Sequence, residues 1–276
     1  MKISRGFWAM LLALAVTLPA SANVQNLNDG GALHRGNQLG AESPVFNDTE
    51  WRQLSVLHDW AVEDVPGQSD PLSKDANGET GQGYMVGGLS WYRRTIALPA
   101  DVASKTVMLR FEACYLDCEI WVSGWKVVRH HYGYTAFDLD VSSRVKTGEN
   151  VVAVKVNHEE PSFRGYSDSS LIRPVHLESL DKVHVDPQGP YVTTPQVSVA
   201  KASVNARTPI FNARLEPVRA SLISIVVDRE GSEVGQLETT QTVAPTVQQS
   251  YIQSLTRSTF WGRTVAVVRA SKTRDH

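Results

Sequence analysis

Between Trp91 and Leu180 the chain alternates short apolar-rich runs with polar turns. WYRRTIALP, TVMLRFEA, CEIWVSG, WKVVRHH, NVVAVKVNH and RPVHLESL are rich in Val, Ile and aromatics, and turn chemistry such as Pro99, Gly124 and Thr147-Gly148-Glu149-Asn150 divides them. Each run is short enough for a strand, and no stretch of helical periodicity longer than two turns competes with them. Regularly spaced strands with polar turns predict an all-β sandwich or barrel. Ahead of them, Gly67 to Gly88 is dominated by Gly, Ser, Asp and Asn and reads as a long surface loop.

The pattern changes at DKVHVDPQGPYVTTPQ, residues 181 to 196, where Pro187, Pro190 and Pro195 punctuate the chain. Beyond it, alternating or apolar runs at Val197 to Val204, Ser221 to Val227, Gln236 to Val243 and Gln248 to Leu255 predict a second, smaller Ig-like sandwich. Glu230-Gly231 supplies a hairpin turn between two of them. Ile223, Ile225 and Val227 are expected on its inner face, and Thr264 to Arg269 is a weaker fifth run.

Composition narrows the function classes. The 276 residues carry a formal charge of −2 and are 42% hydrophobic, enough to build real cores but with no clustered basic surface for nucleic acid. Lys2 and Arg5 precede an apolar run from Phe7 to Leu18 and the small-residue pattern Ala20-Ser21-Ala22. That reads as a secretory signal over residues 1–22, followed by domains at 23–182 and 183–276, and it predicts a periplasmic or secreted protein without a membrane span. Pro19 ends the apolar run short of the roughly 20 residues that a spanning helix needs. Cys114 and Cys118 are the only cysteines. In one continuous strand their Cα atoms would lie roughly 13 Å apart at ~3.3 Å per residue, beyond a disulfide's ~5.5 Å. A bridge requires Tyr115-Leu116-Asp117 to turn, so two buried free thiols are the expectation.

Five segments, in this order and spacing, resemble the N-terminal region of glycoside hydrolase family 2: FNDTEWRQLSVLHDWAVED, GYMVGGLSWYRRTIALP, RFEACYLDCEIWVSG, HHYGYTAFDLDVSS and GENVVAVKVNHEEPSFRGYSDSSLIRPVHLE. The family includes β-galactosidases, β-glucuronidases and β-mannosidases. The resemblance implies a jelly-roll, galactose-binding-like sandwich followed by an Ig-like one. In the family a catalytic (β/α)8 barrel of ~250 residues follows, with two Glu as acid/base and nucleophile for retaining hydrolysis. The run STFWGRTVAVVRASKTRDH begins like the family's last Ig-like segment and then departs from it after Trp261-Gly262. The expectation is a C-terminally truncated or frame-shifted product whose second sandwich is incomplete.

Candidate chemistry follows the same loops. The family has an Arg-Trp-Tyr-Ser-Gly pattern leading to Gly-Ile-Tyr-Arg in a loop that projects toward the sugar pocket, and Arg164, Tyr166, Ser167 and Arg173 match it. Gly165 stands where Trp is usual, and Asp168 and Ser170 stand where glycines are usual. Asn157, Arg164, Tyr166 and Ser167 are the substrate-binding candidates, since Asn and Arg donate to sugar hydroxyls and a tyrosine face stacks on pyranose C–H groups. Arg173 is read as structural. Tyr132, Tyr134 and Phe137 are expected to fill the core or a domain contact. His130 and His131 face apart if extended, so they form no joint site. His58-Asp59-Trp60 matches a family His-Asp-Trp signature, with Trp60 expected in the core and Asp59 as a turn acceptor. No catalytic residue, metal site or cofactor is expected. The partners expected are a weakly bound β-galactoside-like carbohydrate and a separately encoded or missing catalytic barrel, with no nucleic acid. The rival readings are a free-standing periplasmic lectin and a chain that itself hydrolyses O-glycosides.

Overall fold

The structure, a computed structural model, describes residues 23–63, 87–159, 168–187, 189–198, 201–227, 230–257 and 265–268. The proposed signal over residues 1–22, the loop from Gly67 up to residue 86, and Arg164, Tyr166 and Ser167 lie outside them. The described residues contain strands and two 3-10 turns but no α-helix. None of their helices is long and apolar enough to cross a membrane.

Contacts divide the chain into two units at Lys182/Val183. The first is a jelly-roll sandwich. Its strands are β1 (Asn23–Asn26), β2 (Gly31–Arg35), β3 (Arg52–Leu54), β4 (Gly88–Leu98), β5 (Lys105–Phe111), β6 (Asp117–Val122), β7 (Trp125–His130), β8 (Phe137–Asp140), β9 (Gly148–His158) and β10 (Val175–Asp181). Six form one sheet in the order β3-β2-β4-β9-β6-β7, and four form the facing sheet in the order β1-β10-β5-β8. Every pairing is antiparallel. Strand alternation explains the core: Cys118, Ile120 and Val122 of β6 point inward with Val152, Val154 and Val156 of β9, against Val107, Leu109 and Phe111 of β5.

The outer face of the large sheet is also covered. Trp91, Ala32 and Ala153 pack against Ala41 and Trp51 of the β2–β3 connection. Arg93 is only 3% exposed and fastens this connection, donating to Asp48 at 2.9 Å and to the carbonyls of Ala41 and Ser43. A buried guanidinium with its donors this well satisfied holds an irregular segment where no ladder could. The β6–β7 hairpin turns through Ser123 (φ 49°) and Gly124 (φ 86°), the pair of left-handed residues that a two-residue hairpin with matching twist needs.

The second unit is a smaller Ig-like sandwich: β11 (Val183–Val185), β12 (Tyr191–Val197), β13 (Ala202–Asn212), β14 (Val218–Val227), β15 (Glu233–Val243), β16 (Gln248–Arg257) and β17 (Val265–Val268). β13 pairs β11 and β12 along one edge and β16 along the other, while β14 lies between β15 and β17. Ile210, Ala220, Leu222, Val243 and Tyr251 form its centre, and the Tyr251 hydroxyl donates to the Ala220 carbonyl at 3.0 Å.

Four expectations change. Val197 to Val204 is not one strand: β12 ends at Val197, the Ser198 N–H bonds the Lys201 carbonyl at 2.8 Å, and β13 starts at Ala202. The inward face of β14 is Val218, Ala220, Leu222, Ser224 and Val226, and Ile223, Ile225 and Val227 lie half-buried on the opposite face. LISIVV is apolar on both faces, so local alternation cannot choose between them. Cys114 and Cys118 form a disulfide, their Cα atoms drawn to 6.2 Å because Tyr115 and Leu116 turn before β6 begins. Tyr132 and Tyr134, expected in the core or a domain contact, do not fill the core, being 57% and 40% exposed, whereas Phe137 is half-buried against Phe111.

Candidate functional site at the loop end of the jelly roll

One end of the jelly roll collects the chemistry. At this end Gly88 pairs His158, Asn157 pairs Asp117, Cys118 pairs His130, and Phe111 pairs both Val175 and Phe137. The β5–β6, β7–β8 and β9–β10 connections therefore emerge together, beside the 3-10 turn Trp60–Val62. Loops held side by side on a rigid sandwich are where binding groups accumulate.

Asp59 organises the cluster. As the N-cap of the 3-10 turn its Oδ1 accepts from the Ala61 N–H at 3.0 Å, and the same atom accepts from the Ser169 N–H at 3.0 Å. The turn acceptor expected at Asp59 thus ties two distant segments. Asp168 hydrogen-bonds Asp59, and the Tyr134 hydroxyl hydrogen-bonds Asp168. Burial, and then the neighbouring Asp59 carboxyl, push the Asp168 carboxyl above the usual carboxylate range. Tyr134 is pushed up to about 12, by burial first and then by Asp168.

Beneath this pair lies His158, 2% exposed. Its Nδ1 meets the Ser169 hydroxyl at 2.5 Å and its ring stands edge-on to Tyr115. Its Nε2 is buried with no partner among the described residues. Burial lowers its pKa against the opposing pull of Asp59, so the ring is neutral. His58 belongs to a separate network: Nδ1 meets the Tyr92 hydroxyl at 3.2 Å and Nε2 meets Glu63 at 2.6 Å. Arg52 closes on Glu63 with two hydrogen bonds of 2.5 and 2.7 Å. The Arg52 hydrogen bond, with help from His58, holds Glu63 down to about 2. Trp60 is 1% exposed, as expected for a core residue, with Arg35 over its ring.

Among the substrate-binding candidates, only Asn157 is described. It lies on the outward face of β9, opposite His158, and its Oδ1 accepts from the Glu159 N–H at 2.9 Å. That bond shapes the start of the β9–β10 connection. His130 and His131 have different partners: His130 stacks on Phe137 at 4.0 Å, and His131 pairs Asp117 at 3.2 Å. The described residues contain no cluster of three or more His, Cys, Asp or Glu that could hold a metal ion.

Residues 79–186 match the glycosyl hydrolases family 2 sugar binding domain. The chain therefore carries a family 2 sugar-binding domain. A β-galactosidase of Bacteroides ovatus is 32% identical over 84% of this chain, which spans 27% of that protein. A β-glucuronidase of Formosa agariphila is 26% identical over 76% of this chain and 23% of its own length. In the solved structure of a glycosyl hydrolase family 2 member from Bacteroides cellulosilyticus, the match is 32% identical with a TM-score of 0.81, over 84% of this chain and 30% of that one. The chain thus spans about a quarter to a third of these relatives, and the sandwich region is what it shares with them. The cluster around the family domain's loop end was only partly legible in the sequence. Asp59 and Asp168 are 109 positions apart in the chain, and only the departure of Asp168 from the family's glycine singled it out.

Proposed function

We propose that this chain is the non-catalytic, carbohydrate-associated β-sandwich region of an exported family 2 glycoside hydrolase of β-galactosidase type, contributing weakly to sugar binding. The match of the sugar-binding domain to residues 79–186, which hold strands β4 to β10 of the jelly roll, carries the reading. The similarity to a β-galactosidase favours that activity class for the relative or partner in which catalysis would reside. Asn157, with Arg164, Tyr166 and Ser167 in the following loop, would offer hydroxyl and amide contacts to a sugar, and a catalytic barrel is the natural partner for that loop. Retaining hydrolysis requires two carboxyl groups roughly 5 to 5.5 Å apart and on opposite sides of a glycosidic bond. Asp59 and Asp168 instead hydrogen-bond each other, so they do not stand apart across a glycosidic bond.

The test is turnover of chromogenic β-galactoside, β-glucuronide and β-mannoside by the pure chain. No hydrolysis above the uncatalysed rate is expected. Turnover that a point substitution within this chain abolishes would overturn the non-catalytic reading.

A further inference from the structure

Tyr132 and Tyr134 form an exposed pair of aromatic rings on the jelly roll. Trp60, Trp91, Tyr92 and Phe111 of the jelly roll are all under 5% exposed, and Trp125, 61% exposed, carries Arg144 over its ring at 5.1 Å. Tyr132 and Tyr134 stand together on the β7–β8 connection, ring centroids 6.2 Å apart at 75°, with much of their surface in water. Paired aromatic surface left in water marks a place where something binds.

The pair is built rather than loose. Tyr134 rests against Tyr115, with ring centroids 5.0 Å apart, and Tyr115 is 6% exposed. Tyr115 lies inside the short loop that the Cys114–Cys118 disulfide closes. Gly133, between the two tyrosines, allows this approach: a Cβ there would meet the Tyr115 ring at 2.0 Å. On its far side the Tyr134 hydroxyl is held by Asp168. Disulfide, buttress ring and carboxyl fix the platform before any ligand arrives, which removes an ordering cost from binding.

We infer that Tyr132 and Tyr134, with Asp168 beside them, form a shallow carbohydrate subsite that stacks the C–H face of a neutral pyranoside. The inference deepens the proposed function and rests on its assignment of a sugar ligand. The choice of a neutral sugar follows from the charges around the platform. Asp168 and Asp59 lie on one side and Asp117 at the start of β6. Among the cations of this end, Arg129 and His131 are both committed to Asp117, at 2.5 and 3.2 Å, and Arg173 acts on Asp168. Carboxyl oxygens accept from sugar hydroxyls, whereas these cations are already engaged by carboxyls and a uronate would have none of them to pair with. An open platform leaves the sugar largely hydrated, so the dissociation constant belongs at about millimolar.

The experiment is an NMR titration of the full chain with methyl β-galactopyranoside and, separately, methyl β-glucuronide, on wild type, Tyr132→Ala, Tyr132→Phe and Asn157→Ala. The galactoside is expected to bind wild type and Tyr132→Phe alike, to bind Tyr132→Ala about tenfold more weakly, and the glucuronide not to bind in the same range. Tyr132 is exposed, so its truncation spares the fold, and unchanged backbone spectra verify that. Galactoside binding unaffected by Tyr132→Ala overturns the subsite. If Asn157→Ala then weakens that binding, the proposed function stands with the sugar placed elsewhere. Equal binding of the glucuronide overturns the neutral class, and binding of neither sugar overturns the inference, whereas the proposed function is judged separately by turnover.

Discussion

At Asp168 a carboxyl is held where its neighbour is another carboxyl, and the consequence for stability has a definite sign. The folded state keeps the Asp168 proton to higher pH than the unfolded chain does, so stability falls as pH rises from the unfolded value near 3.8. Asp168→Asn can still donate to Asp59 without carrying charge. It is expected to raise the melting temperature at pH 7 by about 2–4 °C, with the gain vanishing below pH 3.8, as read by calorimetry across pH. Glu63 behaves in the opposite sense. Its folded pKa of about 2 lies below the unfolded value of 4.5, so its stabilisation is full above 4.5 and is lost as pH falls toward 2. Arg52 is 57% exposed, so the pair is screened and worth about 1 kcal/mol. Glu63→Gln should lower the melting temperature at pH 7 and match wild type near pH 2. The expectations for Asp59 and Trp60 were local and held. For Tyr132 and Tyr134 it is the core half of the expectation that failed, because the rings that meet Tyr134 come partly from another loop.

At the scale of elements, strands β4 to β7, β9 and β10 were readable because period-two alternation and turn residues are both local signals. β1, β2, β3 and β8 were missed: NVQN is exposed throughout, RQL is three residues long, and FDLD is only four residues long. The β5–β6 connection shows the reverse failure. Strand spacing put Cys114 and Cys118 too far apart for a bridge, but Cys114 precedes β6 and the intervening residues turn. Closing so short a loop stabilises by about 2 kcal/mol on a chain-entropy basis. The paired substitution Cys114→Ser/Cys118→Ser should therefore lower the melting temperature by about 4–8 °C and loosen Tyr115 beneath the tyrosine platform. Thiol titration of the unfolded, unreduced chain should find no free thiol; two would refute the bridge.

For the whole molecule, strands β1 to β10 pair only among themselves and β11 to β17 likewise. Residues 23–182 expressed alone are expected to melt with the same transition as the jelly roll in the full chain, and the second sandwich should give a separate one. A single cooperative melt of the full chain, with 23–182 unfolded alone, would refute that independence. The sequence by itself determined the all-β class, the two sandwiches, the core position of Trp60 and the hairpins at Gly124 and Gly231. Each of these follows from alternation or from a turn residue within a few positions. The tertiary structure alone decided which face of β14 turns inward, that Arg93 pins the β2–β3 connection, and that Asp59, Tyr134, His158 and Asp168 meet at one end. Those outcomes depend on which strands are neighbours and in what register. Sheet pairing joins residues a hundred positions apart, and no local pattern of apolar and polar residues encodes such a distance.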